Sequence, residues 1–430
     1  MRNLPNIYCS YSPGVPALDG TPGSLLTVLK QCLVNGTAPA QIDKIDVVNG
    51  VASFVYSQTT AVFFNYSFIT ITGCDEPLLN GTFMVTNHLL NGSQTSFATT
   101  AADGSYGGDT LSVSQPPAGW ETLFSGTNES VFRSLNKDSM GVCIHIDDTV
   151  GTQALVDCYE DMINLTQGYN RLAYEVIQNN ANDRKWIKKS STASTNPIMW
   201  WMIADNTNVY LTICQTSTTN KQSIYGFGGG IMYFWGNAIS WEDNFKNNFY
   251  MYIPRGSSSD IAGVFSAYSP NTNHNGNLQF VNADLLTRSG NAYTYTNGYI
   301  LTKSSFGTNN WKKFGFIPNT EDCYNRGNGC TTLNPVKLYY PNNVSYANFK
   351  SYMYYNNSMY YFGELNDVLW DNSNNTFFYN IGDVRTIQGK QYIFMPTYTF
   401  YSSANRYDKN TSYMGYIPFL VGQKWGENAV

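Results

Sequence analysis

Residues 44–57 read KIDVVNGVASFVYS. Apolar and polar residues alternate on both sides of Asn49-Gly50, a dipeptide that tolerates the positive φ of a two-residue hairpin turn. The stretch predicts strand, tight turn and strand, and its neighbours repeat the pattern. SFITITG (67–73) alternates, and LLNGTFMVTNHLLNGSQTSFA (78–98) adds two strands around Asn80-Gly81 and Asn91-Gly92. GDTLSVS (108–114) closes the set, with DGSYGG (103–108) as a loop and Pro116-Pro117 as the end. About five or six short strands in a row predict a small β-sandwich or barrel over 43–117.

Upstream, PGVPALDGTPGSLLTVLKQCLVNG (13–36) is the one helical stretch before residue 150. Leu25, Leu26, Leu29, Cys32 and Leu33 fall at spacings of three and four and make one apolar stripe. Thr21 is placed to cap the N-terminus, Pro22 to fill the first helical position and Gly36 to supply a left-handed stop. A helix of about three turns is marginal alone in water, so the stripe must dock. Two destinations are open. One is the chain's own large β domain. The other is a neighbouring subunit, reached by the extended arm that Pro5, Pro13 and Pro16 punctuate. In that case Pro16, Leu18, Leu25, Leu26, Leu29 and Leu33 form an assembly interface.

Downstream of Ala118, strand-length runs continue to the end. GWETLFSGTNESVFRS (119–134) and MGVCIHI (140–146) read as β, while ALVDCYEDM (154–162) is ambiguous between strand and a helical turn. IMWWMIADNTNVYLTICQ (198–215) reads as two strands around an Asp205–Asn208 turn. YMYYNNSMYYFGEL (352–365) and KQYIFMPTYTFY (390–401) follow in the same style. The expected organisation is an N-terminal arm and amphipathic helix (1–42), the small β domain (43–117) and one large, sandwich-like all-β domain (118–430). The fold class is mainly β.

Composition agrees. Only 13% of residues are charged and 15% are aromatic, with 33 Tyr and 49 Asn among 430 residues, a balance suited to half-buried pleated faces joined by turns. A net charge of −5 speaks against non-specific nucleic-acid binding. Met1-Arg2-Asn3-Leu4-Pro5 has no apolar signal-peptide core, and no apolar run is long enough for a membrane-spanning helix. Cys32, Cys143 and Cys214 lie in apolar runs and read as buried, reduced thiols. Cys323 and Cys330, bracketing YNRGNG, are the only local candidates for a disulfide.

Candidate chemistry is sparse. Of three histidines, His88 and His274 sit in polar stretches read as loops. His145 shares a strand face with Cys143 and Asp147, an alternation that would suit a metal, although a strand-edge His beside solvated acids is the commoner arrangement. GFGGG (226–230) lacks the Lys-Ser/Thr of a phosphate loop and reads as a tight turn. Adjacent acids occur at Asp147/Asp148, Glu160/Asp161, Glu242/Asp243 and Glu321/Asp322, but a glycosidase needs two carboxyls across a cleft. Trp241 beside Glu242 is the candidate glycan contact, and Trp120 beside Glu121 a weaker one. No catalytic residue, metal site or cofactor is assigned.

Several blocks in a fixed order carry a resemblance. They are PGVPALDGTPGSLLTVLKQCLVNG, then GCDEPLLNGTFMVT (73–86), PPAGWETLFSGTNESVFRS (116–134) and IHIDDT with CYEDM (144–162). KKSSTASTNPIMWWMIADNTNVYLTI (188–213), GGGIMYFWGNAISW (228–241) and NNFYMY (247–252) continue the order. The series resembles a family of tailed-bacteriophage virion proteins over most of residues 8 to 255, and loosely again at YYFGELNDVLW (360–370). The Tyr/Asn-rich C-terminal half departs from the family's pattern. The resemblance implies a virion location for a chain made in the host cytoplasm, and partners that are copies of itself and other virion proteins. It implies a non-enzymatic part of the tail, collar or baseplate. A fibre protein binding a host receptor or surface glycan is the alternative, and a glycan-degrading tail enzyme a further one.

Overall fold

The structure, a computed structural model, describes residues 4–56, 63–89, 94–137, 139–171, 186–214, 231–240, 248–254, 287–289, 292–294, 298–303, 313–318, 338–339, 345–355, 358–371, 382–400 and 413–425. It is mainly β, with one short helix and several antiparallel sheets.

An eight-stranded sheet takes its strands from residues 40–114. The hairpin Ile45–Val48 to Val51–Val55 closes on Asn49 (φ 51) and Gly50 (φ 75), with Val48 opposite Val51. Alternation puts Ile45, Val47, Ala52, Phe54, Ile69, Ile71, Val85 and Phe97 into one core. Two local readings are corrected. DGSYGG contains a strand, Gly104–Tyr106, which pairs with Ile45–Val48 and covers that sheet edge. Asn80-Gly81 is not a hairpin turn. Asn80 closes a longer connection instead: its Oδ1 accepts from Cys74 N (2.9 Å) and its Nδ2 donates to Cys74 O (2.8 Å).

A six-stranded sheet spans 120–188, and ALVDCYEDM resolves as the strand Gln153–Met162. A thirteen-stranded sheet holds Asn6–Cys9, then the strands from Met199 to Val421, with the short 287–294 hairpin apart. Next to Asn6–Cys9 in this sheet is the hairpin Met199–Ala204 to Val209–Cys214, whose turn is closed by Asp205 Oδ1 accepting from Thr207 N (2.7 Å) and Asn208 N (2.6 Å). Every residue of both strands is buried. Trp200, Met202 and Leu211 face the six-stranded sheet across a shared core, while Trp201 and Tyr210 pack edge-on against Phe419 from the other side. Burial on both faces explains why IMWWMIA is continuously apolar and does not alternate.

The N-terminal segment is an internal part of this architecture. Asn6–Cys9 pairs antiparallel with Met199–Ala204, so the expected free arm is a sheet strand. The α-helix runs over Ser24–Leu29 and widens into a π-helical turn over Lys30–Asn35. Thr21 and Pro22 lie before it. The Thr21 hydroxyl donates to Asp19 Oδ1 (2.5 Å), and Gly23 (φ 80) holds the cap position. Gly36 ends the helix at positive φ (83) but extended ψ (164), and a Cβ there would sit 2.8 Å from Gln115 O. Leu18, Leu25, Leu26, Leu29, Cys32 and Leu33 are all buried in the core shared with Trp120, Ile146, Val156 and Trp200.

Of the two destinations open to the stripe, the chain's own core is therefore the one occupied. Leu18, Leu25, Leu26, Leu29 and Leu33 are buried within the chain, so an assembly interface built on them would require the N-terminal segment to exchange between copies. Pro16, half-buried, is outside that core. Truncating one stripe residue should leave a cavity: Leu29→Ala is expected to lower stability by about 2–5 kcal/mol in urea unfolding of the full chain. An unchanged midpoint would show that the stripe is not core.

Candidate functional site

The most unusual chemistry lies where the helix begins. In the strand Cys143–Val150, alternation sends Ile144, Ile146 and then Asp148 to the core face. Asp148 is fully buried, and its Oδ2 accepts from the backbone N–H groups of Leu25 (2.9 Å) and Leu26 (3.3 Å), two of the donors that every helix leaves unpaired at its start. Its carbonyl accepts from Gly23 N (2.9 Å). The cap that sequence rules place on Thr21 thus comes from a strand 123 positions away.

Lys189 completes the site. It follows the strand Trp186–Lys188, and its own N–H and that of Ser190 both donate to Thr152 O (3.0 and 3.1 Å). Both side chains of the Lys189–Asp148 pair are 0% exposed. Lys189 Nζ touches Asp148 Oδ1, donates to Thr21 O (2.6 Å) and lies 3.3 Å from Ser24 Oγ, which in turn donates to Asp19 O (2.8 Å). Gly20 threads the same place: a Cβ there would be 2.1 Å from Thr192 O. Burial pushes the Asp148 carboxyl up from its ordinary value, opposed by Lys189 and the two helix N–H groups. Burial likewise pushes the Lys189 amine down, opposed by Asp148. Each group is held away from its charged form by desolvation and towards it by its partner.

The other expected residues are dispersed. Cys143 packs with Val131 and Met162 in a small apolar cluster. His145 Nε2 lies 3.6 Å from Glu129 Oε2, and Asp147 Oδ1 accepts from Thr149 N (3.0 Å). Among the described residues no three His, Cys, Asp or Glu side chains come together as a metal would need. Asp147 and Asp148 point to opposite sheet faces, as strand neighbours must. His88 is on the strand Gly81–Leu89, not in a loop, and its Nδ1 is 3.0 Å from Thr95 Oγ1.

Trp120 is no sugar platform. It is buried, its Nε1 donating to Asp205 O (2.9 Å), while Glu121 pairs with Arg133 (2.9 Å). Cys9, Cys32, Cys74, Cys143, Cys158 and Cys214 are buried, and burial pushes the Cys214 thiol up to about 12. Trp241, Glu242, Asp243, Glu321, Asp322, His274, the 226–230 glycines, Cys323 and Cys330 lie outside the described residues.

Sequence reasoning weighed Asp148 only as one of two adjacent acids and did not pair it with Lys189. A signal was present: in Ile144-x-Ile146-x-Asp148 an acid occupies a core position of the alternation, and a buried acid needs a cation or donors.

Fold and site together define a mainly β protein whose N-terminal helix is fastened into its own core by a buried acid–amine pair. No protein-family profile matches the chain, and no curated protein is similar to it.

Lys189→Met leaves the Asp148 carboxyl buried without its cation and should cost about 3–5 kcal/mol of stability in denaturant unfolding. Adding Asp148→Asn, which keeps an acceptor for the helix N–H groups but removes the charge, should recover part of that loss. Additive losses would show that the two residues do not interact.

Proposed function

We propose that the chain is a non-enzymatic structural component of a bacteriophage particle, set at the tail, collar or baseplate. The observation that carries this reading is the ordered series of sequence blocks from residue 8 to about 255 that resembles tailed-phage virion proteins. The mainly β architecture supports it, because rigid many-stranded bodies suit repeated copies in a symmetric assembly. The chain is made in the host cytoplasm and ends in the virion. Its partners are copies of itself and other virion proteins, engaged through surfaces other than the helix stripe.

The test is proteomics of purified particles from the phage that encodes the chain, with antibody labelling in electron micrographs. The chain should be a stoichiometric particle component, with label at the tail, collar or baseplate. Recovery only in the soluble fraction of the lysate would overturn the reading. Binding of the purified chain to host surface polysaccharide, lost on Trp241→Ala, would move it to an attachment fibre. Cleavage of that polysaccharide would move it to an enzyme.

A further inference from the structure

We propose that Lys189 and Asp148 are joined by an intramolecular isopeptide bond that the protein forms on itself. The inference is independent of where the protein resides.

Three features of the site point to it. The first is the placement of the amine against the carboxyl: both side chains are fully buried and Nζ touches Oδ1. The second is that the hydrogen-bond set does not require charges. A charged ammonium would donate to Thr21 O, Ser24 Oγ and Asp148 Oδ1. A neutral amine would donate two hydrogens to Thr21 O and Ser24 Oγ, and its lone pair would face an Oδ1–H. Moving one proton from Nζ to Oδ1 therefore leaves every partner in place and removes two charges from a buried site, where each is costly. Burial shifts both groups towards these neutral forms.

The third feature is the far side of the carboxyl. Oδ2 already sits on the N–H groups of Leu25 (2.9 Å) and Leu26 (3.3 Å), a pair of fixed donors of the kind that stabilises the oxyanion of acyl transfer.

The step balances without a co-reactant. The Nζ lone pair attacks Cγ, and the C=O electron pair moves onto Oδ2, held by the two N–H groups. When the C=O bond to Oδ2 re-forms, the Cγ–Oδ1 bond breaks. Oδ1 departs as water, carrying its own proton and one from Nζ. The product is a secondary amide, with neither carbon nor nitrogen changing oxidation state. Its N–H can still donate to Thr21 O, and its carbonyl keeps Leu25 and Leu26. No buried group is orphaned, and burial protects the bond from hydrolysis. The bond closes a covalent loop between positions 41 apart, tying the six-stranded sheet to itself beneath the helix. Such a loop restricts the unfolded chain.

The full-length protein decides the matter. A preparation shown to be folded by circular dichroism and cooperative unfolding is denatured and its intact mass measured. The expected mass is lower than that of the sequence by one water. Trypsin should fail to cut after Lys189, and the digest should contain one branched peptide carrying both residues. Lys189→Arg, which keeps the cation but removes the attacking amine, should restore the full mass. A folded wild-type chain with the full sequence mass and cleavage at Lys189 would overturn the proposal and leave an ion pair only. A water deficit that persists in Lys189→Arg, or maps to an Asp elsewhere, would also overturn it.

Discussion

The contact on which the rest of this fold depends is Asp148 holding the first N–H groups of the helix with one carboxyl oxygen while Lys189 Nζ meets the other. Neither residue would be tolerated there alone. An unpaired carboxylate in this core would cost several kcal/mol, as would an unpaired ammonium. Together they make a polar core position acceptable, and they do so only when the strand Cys143–Val150, the segment after Trp186–Lys188 and the 19–24 turn are all in place. The pair therefore specifies one arrangement of three chain segments. Apolar burial, which is non-directional, could not impose that arrangement by itself.

The other end of the helix is fastened as firmly. Cys32 O accepts from Ala118 N (3.0 Å) and Leu33 O from Gly119 N (3.1 Å), so carbonyls of the last turns are paired outside the helix. The widening into a π-turn falls at this place, where the ladder is free to relax because its acceptors are met from elsewhere. With both ends held by tertiary partners, the short helix needs little propensity of its own. Its stripe completes the core between the six-stranded sheet and the 199–214 hairpin, which accounts for a marginal helix persisting in a chain of strands.

What could be read from sequence followed the range of the interactions. The 45–55 hairpin was legible because its cause is local: Asn49 and Gly50 adopt the positive φ that their side chains allow. The IMWWMIA and VYLTIC strands were legible because two-sided burial writes itself as an unbroken apolar run. The helix stripe was legible as a stripe, but its destination was not, since an amphipathic face looks the same whether its cover is the same chain or another. The Thr21 cap failed because Asp19 claims that hydroxyl and the working acceptor comes from a distant strand. Trp120 beside Glu121 resembled a sugar platform only while the depth of Trp120 was unknown. Its indole hydrogen bond to Asp205 O makes it a strut between sheets.

The N-terminal strand shows why an apparent arm belongs to the body. Asn6 Oδ1 accepts from Phe68 N (2.8 Å), and Asn6 Nδ2 and Tyr8 OH both donate to Pro116 O (3.2 and 2.7 Å). Gln115 Nε2 returns a bond to Ile7 O (2.7 Å), while its backbone N–H and C=O pair with Thr37. The strand that pairs into the thirteen-stranded sheet on one side thus holds the exit of the eight-stranded sheet and the start of its strand Phe68–Thr72 on the other, while Gln115 ties that exit to the entry at Thr37. Each of these buried, non-local hydrogen bonds holds the segment in place, since a buried group left unpaired costs about 1–3 kcal/mol. The proline-punctuated N-terminus is thus an integral strand of the fold, paired with Met199–Ala204.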